Sequence, residues 1–264
     1  MSKNNNTPVI IGIAFAAVIA FVIGLNYASK DEPETKSVTQ GPISLKKGLV
    51  AYYPFNGNIN SKEGKADYNA TTENYSTDRH GMPNSAYAIV DKEQNLNNEL
   101  SGYATNSFAI SLWVKTNKGV SLIGEAKSGY PAQSRGHNLI IPPVHGGQVG
   151  NRVGCGLSVG TNGLMVLEHA HAHYTSVLTV RKPMLNWNHI VISWDNNQVT
   201  LYVNGAFVKT GLQSLMKVFP SSPLGGNHWG DQTQGEIDDV RFFNFSLNKS
   251  EVAHLYQSEK PKNK

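Results

Sequence analysis

Residues 186–210 read N-W-N-H-I-V-I-S-W-D-N-N-Q-V-T-L-Y-V-N-G-A-F-V-K-T, and they dictate a β-meander before anything else is known of the chain. Ile190, Ile192 and Trp194 alternate with His189, Val191 and Ser193, which places two sets of side chains on opposite faces of one strand. Asp195-Asn196-Asn197-Gln198 supplies turn residues, after which Val199, Leu201 and Val203 alternate with Thr200 and Tyr202. Asn204-Gly205 predicts a two-residue type I′ turn, which needs positive φ at both positions. A third strand follows over 206–209.

The rest of the chain repeats this pattern. Strands are expected over 48–58 (with Leu49, Ala51, Tyr53 and Phe55 on one face), 86–90 and 108–115. Short apolar runs over 120–124 and 137–141 should pair around a loop, 154–158 and 164–170 should bracket the turn V-G-T-N-G, and 176–180 leads into the meander. In F-A-I-S-L-W-V-K at 108–115, Phe108, Ile110, Leu112 and Val114 share one face while Ser111 and Trp113 take the other. Residues 212–233 read as a long irregular rim, 235–245 as the last strand, and 247–256 as one short helix capped by Ser246 or Asn248 with Glu251 in its first turn. Many short strands with turns every eight to twelve residues mean an all-β fold of two packed antiparallel sheets.

Of the 264 residues, the first and last stretches stand apart. From Val9 to Leu25 no residue is charged or strongly polar, and the segment 8–27 covers about 30 Å as a helix, enough for a bilayer core. It is expected to be a transmembrane anchor. Lys3 and the amino terminus precede it, while Lys30 is answered by Asp31, Glu32 and Glu34, so basic residues favour a cytoplasmic 1–7 and an exported domain, extracellular or periplasmic. A cleaved signal peptide fits less well, because a cut after Ala28 would put Asn26 where a small residue is wanted. Residues 28–46 read as a polar linker, 47–257 as the domain and 258–264 as a basic tail. The net charge of +4 comes partly from that tail and forms no patch interleaved with aromatics, which argues against nucleic acid. Cys155 is the single cysteine, so no intramolecular disulfide exists.

The motifs, in order, resemble those of the laminin-G-like, concanavalin A-like jelly-roll domains in their bacterial form. They are G-L-V-A-Y-Y-P-F-N-G-N at 48–58, T-D-R-H-G-M-P-N-S-A-Y at 77–87, F-A-I-S-L-W-V-K-T at 108–116 and V-G-T-N-G at 159–163. W-N-H-I-V-I-S-W at 187–194, L-Y-V-N-G at 201–205 and G-E-I-D-D-V-R-F-F-N-F-S-L at 235–247 complete the set. The resemblance implies a jelly-roll sandwich that binds carbohydrate or protein at the cell surface, often with calcium. Asp238, Asn56 and Asn58 would converge on such an ion if the first and last strands are neighbours, as the resemblance implies; the family frequently has Asp where Asn56 stands here.

Three constellations carry candidate chemistry. Glu236 and Asp238 share a strand face, as carboxylates do in retaining glucanases, but Val240 or Arg241 stands where a further Glu is wanted, so catalysis is not expected. His169-Ala170-His171-Ala172-His173 would, on one strand, put three imidazoles on a single face with neighbours about 6.6 Å apart. That face suits a polar ligand, ordinary surface histidines, or a zinc whose remaining ligand would come from elsewhere, Glu168 and His189 being candidates. Trp229, in G-G-N-H-W-G-D-Q beside Asn227, His228 and Asp231, offers a flat apolar ring with polar tips, as sugar sites do. Trp113, Trp187 and Trp194 read instead as strand packing. The expectation is a non-catalytic module for a glycan or a surface protein, the alternative a structural subunit that contacts protein only.

Overall fold

The computed structural model describes residues 46–262 except 65, 91–94, 129, 131–134, 148–150, 171–172 and 229–230. The anchor expected at 8–27 and nearly all of the linker lie outside these residues; among the described residues no helix is long and apolar enough to cross a membrane. In chain order the strands are β1 (Leu49–Tyr53), β2 (Tyr75–Ser76), β3 (Ala86–Ile89), β4 (Asn95–Leu96), β5 (Phe108–Lys115) and β6 (Leu139–Ile141). There follow β7 (Arg152–Gly160), β8 (Gly163–Ala170), β9 (His173–Arg181), β10 (Asn188–Asp195), β11 (Gln198–Val203) and β12 (Ala206–Gln213). The last are β13 (Lys217–Pro220), β14 (Leu224–Gly225), β15 (Asn227–His228), β16 (Asp231–Gln232) and β17 (Gly235–Phe243), before helix α1 (Lys249–Glu259).

Two sheets form the sandwich. The larger runs β12-β11-β10-β5-β17-β3-β2, with β1 also paired to β17. β17 pairs β3 through residues 235–237 and β1 through residues 240–243, so it changes partner halfway along. The change falls on a bulge at Asp238 and Asp239, where Asp239 takes φ 48° and the register against β5 slips. The smaller sheet runs β13-β7-β8-β9 with β6 on β7. Its β13–β7 pair is parallel, which departs from the all-antiparallel expectation and arises because the 212–233 segment, read as irregular, contains strands that return along the edge of β7.

The meander forms as read. Asn196 and Asn197 adopt φ 46° and 65°, and Asn204 and Gly205 adopt 52° and 77°, so both turns have the positive φ that type I′ demands. Phe108, Ile110, Leu112 and Val114 of β5 face Leu157, Val159, Leu164 and Val166 of the smaller sheet in one core. Trp194 lies there too, stacked on Phe108 at 6.0 Å and donating its Nε1–H to Cys155 Sγ at 3.1 Å. Burial pushes the Cys155 thiol up, so it stays protonated and serves as a small packing residue.

Both outer faces are covered. Asn248 caps α1, accepting from the N–H groups of Ser250 and Glu251 while Glu251 returns a bond to the Asn248 N–H. Val252 and Leu255 of the helix then pack on Ala109, Val191, Tyr202 and Phe243 of the larger sheet. On the smaller sheet, residues 141–146 lie directly against β7, and the expected 120–124 strand is instead an irregular segment whose Leu122 and Ile123 pack on Met165 and Leu167. Glycine makes the first contact possible. A Cβ on Gly156 would sit 2.4 Å from Ile141 O, and one on Gly154 2.1 Å from Val144 O. Backbone cannot yield as a flexible side chain can, so Gly156→Ala should cost about 2 kcal/mol. In a domain of this size that corresponds to a melting temperature lower by about 4–8 °C in calorimetry.

Candidate functional site

The G-E-I-D-D-V-R motif is spent first on the fold. Asp238 and Asp239, turned to the outer face by the bulge, receive the guanidinium of Arg79 from the 77–87 motif, and these side chains are almost wholly buried. Arg79 also donates its Nε–H to the main-chain O of Glu259 at 2.9 Å, which ties down the end of α1, and lies 4.5 Å from the ring centre of Trp113. The Glu259 carboxylate pairs with Arg241 and accepts from Trp113 Nε1 at 2.8 Å. Arg241 stacks on Tyr52 at 3.8 Å, and Tyr52 donates its hydroxyl to Asp239. His189 is hydrogen-bonded to Ser111 at 2.8 Å beside Trp113.

This arrangement gives the expected calcium ligands other partners. The Asp238 carboxylate lies against a guanidinium, whose charge repels a cation. Asn58 donates to Asn56 O and accepts from the Asn60 N–H, so both asparagines bond within their own exposed turn. As arranged, Asp238, Asn56 and Asn58 do not fit a hard cation, which wants six or more converging oxygens. Among the described residues no group of three or more His, Cys, Asp or Glu could hold a metal ion.

The histidine run is corrected. β8 ends at Ala170 and β9 begins at His173, with Ala170 opposite His173, so the run crosses a hairpin and does not share one strand face. His171 lies outside the described residues. His169 faces outward on the smaller sheet, donating its Nδ1–H to Pro143 O at 3.0 Å, with its ring 4.7 Å from that of His145 and 4.8 Å from that of Tyr174. Glu168 points the other way, beside Cys155, receiving the Ser128 hydroxyl. Burial pushes it up to about 7, against that bond and one from Ser214. His189 belongs to the outer face of the larger sheet. These zinc candidates thus occupy three different layers, and no single ion can reach them.

Of the rim loop, Trp229 lies outside the described residues and only the backbone of Asn227 and His228 is described, in β15 paired with β16. Asp231 is accounted for. Its two carboxylate oxygens accept from the Gly136 and His137 N–H groups at 3.0 and 2.9 Å, so it pins the hairpin to the 136–137 segment.

A cleft of about 880 Å³ opens at the same end of the sandwich. Its walls are Ala88, Ile89 and Val90 at the end of β3, Lys115, Thr116 and Asn117 at the end of β5, and Gln234, Gly235 and Glu236 at the start of β17. Thr161 from the β7–β8 turn and Leu185 and Asn186 before β10 complete it. The floor is held by the buried Asn138, whose Nδ2 donates to Gln234 O and Val159 O at 2.9 and 2.8 Å, and whose Oδ1 accepts from the Gln234 N–H at 2.8 Å. Lys115 and Glu236 are register partners across β5 and β17, and their side chains pair at 2.5 Å. The Lys115 ammonium also lies 5.8 Å from the ring centre of Trp187, which is half-buried and precedes β10 rather than lying on a strand. Sequence reading missed this cleft because its walls come from five separate segments. The one available signal was a polar or charged residue at each strand end: Lys115, Thr116 and Asn117 after an apolar run, and Glu236 before one.

The glucanase-like carboxylates do not assemble a catalytic pair. Glu236 is held by Lys115, Asp238 by Arg79, and Val240 is fully buried in the core.

Three carboxyls, Asp238, Asp239 and Glu259, face two guanidiniums under α1. Burial first, then the Asp239 charge, pushes Asp238 up to about 8, and burial pushes Glu259 up to about 7, with Arg79 and Arg241 opposing. His189 is pushed down to about 3 by burial, Arg241 and Arg79. Between their ordinary and folded values Asp238 and Glu259 bind more protons in the folded protein than in the unfolded chain, so their contribution to stability falls as pH rises. His189 has the opposite sign, but only below its ordinary value of 6.5. Denaturant midpoints should therefore fall from pH 6.5 to 8, and Asp238→Asn should flatten that slope; an unchanged slope in the variant would refute the assignment.

Residues 91–253 match the family described as the Concanavalin A-like lectin/glucanases superfamily. No curated protein matches the chain. Among solved structures, domain 4 of AbnA, a GH43 extracellular arabinanase from Geobacillus stearothermophilus in complex with arabinotriose, is 21% identical. The match covers 79% of this chain and 98% of that one, with a TM-score of 0.51. The ligand binding domain of botulinum neurotoxin serotype D, in complex with N-acetylneuraminic acid, is 15% identical over 80% of this chain and 51% of that one, with a TM-score of 0.57. The binding domain of botulinum neurotoxin DC, in complex with rat synaptotagmin II, is 15% identical over 80% and 51%, with a TM-score of 0.55. This chain spans about half the length of the two toxin binding domains, and at these identities the likeness concerns the fold.

Proposed function

We propose that this chain, which belongs to the concanavalin A-like lectin/glucanases superfamily, is a non-catalytic binding module that takes a carbohydrate in the cleft between the ends of β3, β5 and β17. The observation that carries the reading is the cleft itself, lined by the polar Asn117, Asn186 and Thr161 beside the apolar Val90 and Leu185. Sugar rings present hydroxyls around a mixed apolar face, and a concave site with a few convergent polar groups suits them. Arabinotriose in complex with the arabinanase domain supports the reading, because the match covers 98% of that domain. Glu236 and Asp238, the two carboxylates on the strand face a glucanase would use, are each held by a cation, which supports binding without turnover. The rim hairpin beside Asp231, with Trp229, His228 and Asn227, would extend the site, and the apolar segment 8–27 would hold the module on the outer side of a membrane.

A second reading keeps a specific observation of its own. Val90 and Leu185 line the cleft while 61% and 63% exposed, which suits a protein ligand. The two readings separate on a glycan array probed with the full chain, with calcium and with a chelator. A glycan hit weakened about tenfold or more by Asn117→Ala together with Asn186→Ala, a loss of about 1.4 kcal/mol or greater, supports the carbohydrate cleft. Trp229→Ala on the same array tests the rim loop. A blank array from folded protein sinks the carbohydrate reading and leaves the structural, protein-contacting subunit.

A further inference from the structure

We infer that the Lys115–Glu236 pair sets the charge class of the ligand: the cleft takes an uncharged glycan and refuses one that carries a carboxylate or sulfate. The inference rests on the cleft being the carbohydrate site. Lys115 and Glu236 are the only charged side chains among the described lining residues. They sit directly opposite each other on adjacent strands, so backbone pairing brings the two side chains together without relying on a flexible loop.

Each partner is constrained. The Glu236 oxygen that meets Lys115 is shielded from solvent, and the ammonium is further held over the Trp187 ring. A lysine left alone in such a wall would attract an acidic sugar. Here Glu236 already satisfies it, so an incoming carboxylate meets a neutral pair. To reach the ammonium it must displace Glu236 or lie against it, and two carboxylates sharing one cation repel. Specificity of this kind arises from a repulsive group as much as from attractive ones. The rest of the polar wall consists of amides and hydroxyls, which can both donate and accept and so match neutral sugar hydroxyls.

The test is an array that presents neutral oligosaccharides beside their uronic-acid and sialylated counterparts, probed with the full chain at low salt and at high salt. The wild-type protein should favour neutral over acidic partners by at least tenfold. Glu236→Gln frees the ammonium, and should shift that ratio at least tenfold toward acidic glycans in a salt-sensitive manner. Lys115→Met leaves Glu236 behind and should sharpen the refusal instead. Both residues are partly exposed, and matching melting temperatures will show that the variants fold. Wild-type protein that binds acidic and neutral glycans alike overturns the inference while the carbohydrate reading stands, as does a Glu236→Gln ratio that does not move. A blank wild-type array removes the carbohydrate reading and this inference with it.

Discussion

The guanidinium of Arg79 holds the point at which the last strand changes partners. β17 pairs β3 with its first residues and β1 with its last, and between the two its register against β5 breaks. The bulge at Asp238 and Asp239 supplies the break, and it turns two adjacent carboxylates toward the same outer face. Left unpaired there they would repel each other and lose their hydration, a cost of several kcal/mol per buried ion. Arg79 bridges both and, through its Nε–H, the end of α1. One cation therefore secures the centre of the larger sheet and the C-terminus of the helix that covers it.

The cleft inherits its rigidity from that arrangement. Glu236 precedes the bulge by two residues, on the part of β17 that still pairs β3 and β5, so its position is set by ladder hydrogen bonds on both sides. Asn138 fastens the same strand's start to the end of β7, which joins the two sheets at the cleft floor. The charged pair of the cleft thus stands on strands, whereas its polar residues Thr116, Asn117, Thr161, Asn186 and Gln234 come from the turns and loops at the strand ends. Register pairing fixes where the Lys115–Glu236 pair enters the cleft, and a charge pair positioned by the backbone can discriminate ligands.

The mixture of legible and illegible residues has a physical pattern. The meander, the Asn-Gly turn, the core face of β5 and the Asn248 cap depend on neighbours within a few positions, and local alternation or capping chemistry reveals them. The histidine run misled because alternation cannot show where a strand turns back, and the hairpin at Ala170 opposite His173 breaks the face it predicted. Asp238 misled for another reason. A carboxylate looks the same whether its partner is calcium or arginine, and Arg79 is 159 residues away in the chain.

By itself, then, the order of apolar and polar residues determined an all-β sandwich with a capped C-terminal helix, because period-two patterning and turn residues act locally. Tertiary structure alone decided the parallel β13–β7 edge, the partner of Asp238, the scattering of Glu168, His169 and His189 over three layers, and the cleft with its Lys115–Glu236 pair. Those features join residues far apart in sequence, and only strand register, which no single strand encodes, brings such residues face to face.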